Sequence, residues 1–189
     1  MDISILDAIH NRRATRNFTG KPVSEETVRV LLDEAVRAPS ARNLQPWSFV
    51  VVQDPAVLRR LSDRAKANLQ LDPHWKDSGP FADPAFNIFY DASTLIVICA
   101  SRDGFSTVGD CYLAGAYLML AAHGMGLATC PIGFARDLLQ SVAVKQELGI
   151  PPEWQPVLPI ILGYPRGSMP RTERHVPVIH RWIKPGNGA

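Results

Sequence analysis

Arginine is the residue type that forks onto phosphate oxygens, each charge-assisted bond contributing roughly 1.5–3 kcal/mol when partly buried. Arg12, Arg13 and Arg16 lie close together where a first helix, roughly Ile3 to Asn11, gives way to Phe18 and the turn Gly20-Lys21-Pro22. A second group, Arg166, Arg171 and Arg174, sits in a polar, proline-rich tail. Either group could be an anion site or a solvated basic surface. Between them runs Ala38-Pro-Ser-Ala-Arg-Asn-Leu-Gln-Pro-Trp47, in which two prolines stiffen a loop that presents a hydroxyl and two amides. Such groups could hold a flat ligand with polar edges.

Other chemistry is excluded by its missing residues. There is no G-x-S-x-G, no H-E-x-x-H and no G-x-x-x-x-G-K-[ST], and none of the five histidines is spaced as a metal-ligand pair with another. Gly124-x-Gly126 begins like a dinucleotide fingerprint, but it follows a helical pattern and position 129 is Thr, so a Rossmann nicotinamide site is not expected. His123, on an apolar segment, reads as a core histidine.

The elements that must position these groups are partly legible. Ser24 is a helix cap with Glu25 and Glu26 behind it, and Val28, Leu31, Leu32, Ala35 and Val36 recur with helical spacing; the helix should stop near Ala38, before Pro39. Trp47 to Val52 reads as a strand, and Asp54-Pro55 starts a helix that continues through Leu69. The stretch 71–90 is irregular and aromatic, either a lid over a site or a loop tucked on the core. Leu95 to Ala100 is a strand buried on both faces. The uncharged stretch that begins at Cys111 predicts a core or interface helix of about a dozen residues before His123-Gly124, too short to span a membrane. A helix from Gly133 to about Leu148 and a strand over Gln155 to Gly163 complete an α+β or α/β pattern.

The chain has 189 residues, 46% of them hydrophobic, with 20 Lys+Arg against 18 Asp+Glu. That length supports one substantial core without staples, so residues 1–189 are expected to form a single domain, with 71–90 as lid or access loop and 164–189 as an extended tail. The near-balanced charge predicts neither a nucleic-acid nor a membrane partner. Cys99, Cys111 and Cys130 read as core thiols in a reducing compartment, and the N-terminal residues do not form a signal peptide, so cytoplasmic localisation is expected.

Four segments together, Arg12-Arg-Ala-Thr-Arg-Asn-Phe18, Ala38 to Trp47 with its following strand, Gly124-Met-Gly-Leu-Ala-Thr-Cys-Pro-Ile-Gly133, and Gly163-Tyr-Pro165 with the arginines after it, resemble the nitroreductase family of FMN-dependent oxidoreductases. The resemblance implies an α+β homodimer with a central, mainly antiparallel sheet flanked by helices and FMN in two interface grooves. It implies that Arg12 and Arg13 hold the FMN phosphate, that Arg171 or Arg174 reaches it from the tail, and that Arg16 lies near the pyrimidine edge. Pro39, Ser40 and Asn43 would contact FMN from the other subunit. Pro131, Ile132 and Gly133 would pack on or hydrogen-bond the isoalloxazine, and Asn68 would approach its edge. Ala14 stands where many members have Ser, which removes a phosphate hydroxyl, and Pro131-Ile-Gly-Phe134 lacks the Glu-Gly or Gly-Gly of many relatives.

The activity so implied is transfer of electrons from NADH or NADPH, via FMN, to a nitroaromatic, quinone or similar small acceptor, by ping-pong alternation. No general base or nucleophile is needed, because the cofactor carries the chemistry. Arg16 would tune it: a cation about 4 Å from a reduced, anionic flavin gains about 4 kcal/mol at an effective dielectric of about 20, before desolvation. A flavin-destroying, dehalogenating or azoline-oxidising branch of the family, or a non-enzymatic FMN-binding module, are the alternatives.

Overall fold

The computed structural model describes residues 4–76, 79–101, 104, 106–168, 170 and 172–185. Helix α1 (Ile5–Asn11) begins at Ser4, whose hydroxyl accepts from the Asp7 amide, and α2 (Glu25–Ala35) begins at Ser24, whose hydroxyl accepts from Thr27. Each cap satisfies a donor that a helix start leaves over. Strand β1 (Trp47–Val52) leads through the Asp54 cap into α3 (Pro55–Leu71), and β2 (Thr94–Ser101) leads into α4 (Thr107–Gly124). Then come β3 (Ala128–Pro131), α5 (Arg136–Gln140), α6 (Val142–Glu147) and β4 (Trp154–Gly163).

The four strands form one antiparallel sheet in the order β1-β2-β4-β3. Along β2, Leu95, Val97 and Cys99 face one apolar cluster with α3 and α5, while Ile96, Ile98 and Ala100 face the other with α2 and α4. A period-two alternation with both faces covered explains why the segment reads as an unbroken apolar run. All three cysteines are buried and free. This is the antiparallel α+β architecture expected from the resemblance.

Several local expectations needed tertiary correction. Helix α2 ends at Ala35, and tight backbone bonds from Arg37 to Glu34 and from Ala38 to Ala35 carry the chain to Pro39. Helix α4 is 18 residues long, not a dozen, because its first turns are supported by Asp110, a buried carboxylate that accepts from the Ala41 amide. The expected helix from Gly133 to Leu148 is broken at Ser141, whose extended backbone lets its hydroxyl cap α6. Strand β3, which was not anticipated, pairs Ala128–Pro131 with Ile160–Gly163.

Helix α4 approaches the sheet closely because it carries Gly115: a β-carbon there would collide with Leu158 Cδ2. Elsewhere α4 leaves Val108, Tyr112, Leu113 and Tyr117 exposed, and α1 exposes Ile5, Leu6 and Ile9. Beyond β4, Val176, Val178, Ile179, Trp182 and Ile183 of the tail are between 60% and 83% exposed. No described helix is long and apolar enough to cross a membrane.

Candidate functional site

The site is organised by a short backbone contact. Ala14 bridges Thr129 in parallel, and the Thr15 amide donates to the Thr129 carbonyl at 3.0 Å. This lays residues 12–16 along β3 and sets their register, so Arg12 falls beside the start of the strand and Arg16 beside its end. Two cavities follow from that arrangement. One, of about 270 Å³, is lined by Arg12, Arg13, Thr15, His123 and Thr129; the other, of about 320 Å³, by Arg16, Trp75, Tyr90, Pro131, Ile132 and Gly133. Three residues of strand, about 10 Å, separate Thr129 from Ile132.

The first cavity is strongly cationic. Arg12 Nη1, Arg13 Nε and Thr129 Oγ1 are buried without a hydrogen-bond partner. Each such group costs roughly 1–3 kcal/mol while unsatisfied. Arg13 is anchored at its far end, where Nη1 donates to the carbonyls of His10 (2.6 Å) and Arg12 (2.9 Å). Among the described residues, no ion pair involves Arg12, Arg13, Arg16 or Arg174. Burial, followed by the charges of Arg174 and Arg13, holds Arg12 below the usual guanidinium value. Arg174 therefore acts on this cavity from the exposed tail, while Arg171 lies outside the described residues. Arg166 is spent elsewhere: its Nε donates to the Phe18 carbonyl at 3.2 Å and clasps the tail to the 17–18 segment.

An unneutralised cluster of buried donors suits a phosphate, and the second cavity suits a planar ring. Its wall is aromatic: Trp75 meets Phe134 edge-on at 5.3 Å, and Tyr90 meets Phe86 at 5.6 Å. The 71–90 segment, within its described residues, thus has both of its anticipated roles, since Phe81, Ile88 and Phe89 are buried in the core while Trp75 and Tyr90 line the cavity. Cys130 is a buried residue of β3 itself, its thiol pushed up by burial and drawn down by Arg16 and Arg12. Asn68 is exposed on α3, next to Leu69, which does line the cavity.

The other predicted group lies far off in the same chain. After α2, Pro39 and Ser40 enter a 3₁₀ turn (Ala41–Asn43) in which Arg42, Asn43 and, just beyond, Gln45 take positive φ. Left-handed backbone at non-glycine residues costs on the order of 1–2 kcal/mol each. The turn is held by Ser40 Oγ, which accepts from the Gln45 amide at 3.0 Å, and by Asp110, which accepts from Ala41 at 3.2 Å. Asp110 is in the first turn of α4 and His123 in the last. At 1.5 Å per residue, about 20 Å of helix separates the Ser40–Asn43 turn from the arginine cavity.

Sequence reasoning missed His123, Thr129, Trp75 and Tyr90. His123 is not a core histidine but a half-buried wall of the arginine cavity. No sequence signal separates the two settings, because the segment that turns this end of α4 into a pocket arrives from residues 12–16.

An antiparallel sheet flanked by helices, with an arginine-lined cavity and an aromatic-walled cavity joined by one strand, defines the class of α+β protein to which this chain belongs. Within that class the chain belongs to the nitroreductase family, whose sequence profile matches residues 9–164. It is 30% identical over 166 residues to an Archaeoglobus fulgidus protein provisionally named NADH dehydrogenase/NAD(P)H nitroreductase, covering 85% of each chain. A Methanothermobacter thermautotrophicus protein with the same provisional name is 29% identical over 168 residues, covering 86% of this chain and 78% of that one. Among solved structures, an FMN-dependent nitroreductase from Clostridium difficile superposes with a TM-score of 0.85 at 25% identity, over 96% of this chain and all of the other.

Proposed function

We propose that this chain is an FMN-dependent oxidoreductase that takes electrons from NADH or NADPH and passes them to nitroaromatic, quinone or similar small acceptors, donor and acceptor alternating at one face. The observation that carries this reading is the cavity in which Arg12 Nη1, Arg13 Nε and Thr129 Oγ1 have no internal partner, placed about 10 Å along β3 from an aromatic-walled cavity at Arg16. When bound, FMN supplies the redox chemistry, receiving hydride and releasing electrons. The protein's part is to bind and orient. Arg12 and Arg13 hold the phosphate, with Arg174 or Arg171 reaching in from the tail. Pro131, Ile132 and Gly133 pack on or hydrogen-bond the ring, and Asn68 approaches its edge. Arg16 stands at the pyrimidine side, and Trp75 and Tyr90 bound the space left for donor and acceptor.

The functional unit is a homodimer formed by a single-domain chain. The apolar faces of α1 and α4 and the apolar tail residues are uncovered in one chain, which supports burial against a second copy. That partner would supply Pro39, Ser40 and Asn43. Three buried free thiols support a reducing, cytoplasmic setting.

The test is the visible spectrum of the purified protein, followed by anaerobic addition of NADH and of NADPH. Flavin bands near roughly 370 and 450 nm that bleach on addition are expected, the faster donor being the preferred one. Bands that persist would leave a binding module, and no bands, with no uptake of added FMN, would remove the reading. Arg16→Ala is expected to lower the midpoint potential of the bound flavin by on the order of tens of millivolts, through loss of a nearby positive charge. An unchanged potential, measured by dye-linked reductive titration, would take that role from Arg16.

A further inference from the structure

We propose that His123 is the proton-carrying member of the phosphate cradle: entry of a phosphate dianion beside Arg12 and Arg13 places a proton on the His123 imidazole, so the ligand is held by one positive charge that the ligand-free protein lacks. The proposal rests on the FMN reading above and adds to it a residue and a proton.

The geometry is specific to this end of α4. His123 lies in the helix's last turn, half-buried, on the wall of the cavity that Arg12, Arg13 and Thr129 also line. Among the described residues, the charged groups that act on it are basic. Arg12 and Arg13 act on it from the segment after α1, Arg174 acts on Arg12 from the tail, and His10 is exposed on α1. Among the described residues, no carboxylate lines the cavity. The opposing influence is the negative end of the α4 dipole, which favours a nearby cation.

Without a ligand, burial and then the two guanidinium charges hold His123 below the ordinary imidazole value. A bound phosphate carries about two negative charges and reverses the sign of the local field. The imidazole then gains a partner, and its pKa in the complex rises above its value in the free protein. A group that is more basic in the complex adds affinity that is fully present below its free-protein pKa and is lost as pH rises through its pKa in the complex. The phosphate's own second ionisation, near pH 6, works in the opposite sense at acidic pH, and in the free ligand it is the same whichever protein is titrated.

The experiment compares wild type with His123→Gln, whose amide keeps a donor but cannot titrate. FMN is titrated into the FMN-free protein from about pH 6 to about pH 8.5, and riboflavin, which lacks the phosphate, serves as the control ligand. The expected result is a wild-type Kd that rises about fivefold or more relative to that of the variant across this range. Calorimetry in two buffers of different ionisation enthalpy should show net proton uptake on FMN binding that the variant lacks, and none attributable to His123 on riboflavin binding. Parallel pH profiles and equal proton uptake would overturn the role of His123 and leave the FMN site standing. Failure of both proteins to bind FMN would remove the functional reading and this inference together. Should the variant not fold, the His123 ring-proton NMR titration of wild type with and without FMN reads the same quantity: an upward shift supports the proposal, and an unchanged or lower pKa ends it.

Discussion

Replacing Arg12 with Ala is expected to weaken FMN binding roughly 10- to 100-fold while leaving the FMN-free protein about as stable as before. One charge-assisted hydrogen bond to phosphate is worth roughly 1.5–3 kcal/mol, and each 1.4 kcal/mol is a factor of ten in Kd. The second half of the expectation comes from the cradle itself. Arg12 Nη1 is buried with no partner, and Arg174 and Arg13 raise the cost of its charge. Truncation removes that cost along with the packing of the arginine stem, and the two changes oppose each other. Flavin titration and thermal melting with and without FMN check both parts. Wild type should gain Tm on adding FMN, in proportion to the logarithm of ligand over Kd, and the variant should gain much less. A variant that melts far below wild type when FMN-free, yet binds FMN normally, would make Arg12 a structural residue.

Mixing and co-refolding Arg12→Ala chains with Asn43→Gly chains should restore tight FMN binding at about a quarter of all sites, although neither variant binds tightly alone. The reason is the length of α4. Its first turn holds the Ser40–Asn43 turn through Asp110, and its last turn shares a cavity with Arg12, about 20 Å away. If one flavin meets both groups, they come from two chains. Random pairing of the two variants gives a hybrid in half the dimers, each with one intact site and one doubly altered site. Glycine is the substitution to use at position 43 because Asn43 has φ of 55°, which alanine would strain. Absence of any gain on mixing, or a mass near that of one 20.8 kDa chain in light scattering, would contradict the shared site.

How far the site could be read in advance depended on which groups acted locally. The Arg12–Arg16 group and the Pro131–Gly133 segment could be singled out because each is compact in sequence, and the structure places Arg12 and Arg13 in one cavity and Arg16 with Pro131, Ile132 and Gly133 in the next. His123 escaped because its own neighbours along α4 are apolar, and its charged surroundings come from a segment more than a hundred positions earlier. Trp75 and Tyr90 were visible as aromatics of an irregular stretch, but not which of that stretch's rings would be core and which would line a cavity.

The elements set by short-range physics were determined by the sequence alone. Ser24 and Asp54 cap their helices, the β-branched run Trp47–Val52 is β1 to the residue, and the apolar run from Leu95 to Ala100 is a central strand covered on both faces. Side-chain caps, proline geometry and burial on both faces act within a few residues, so they are legible without the fold. Tertiary structure alone decided the rest. It extended α4 through a buried Asp110 bonded to Ala41, broke the 133–148 helix where Ser141 caps α6, and made a strand of Ala128–Pro131. It also laid residues 12–16 along that strand and so set Arg12 and Arg13 in one cavity with His123 and Thr129. Each of those outcomes depends on a hydrogen-bond partner or a charge supplied by a neighbouring element, and such partners exist only once the chain has folded.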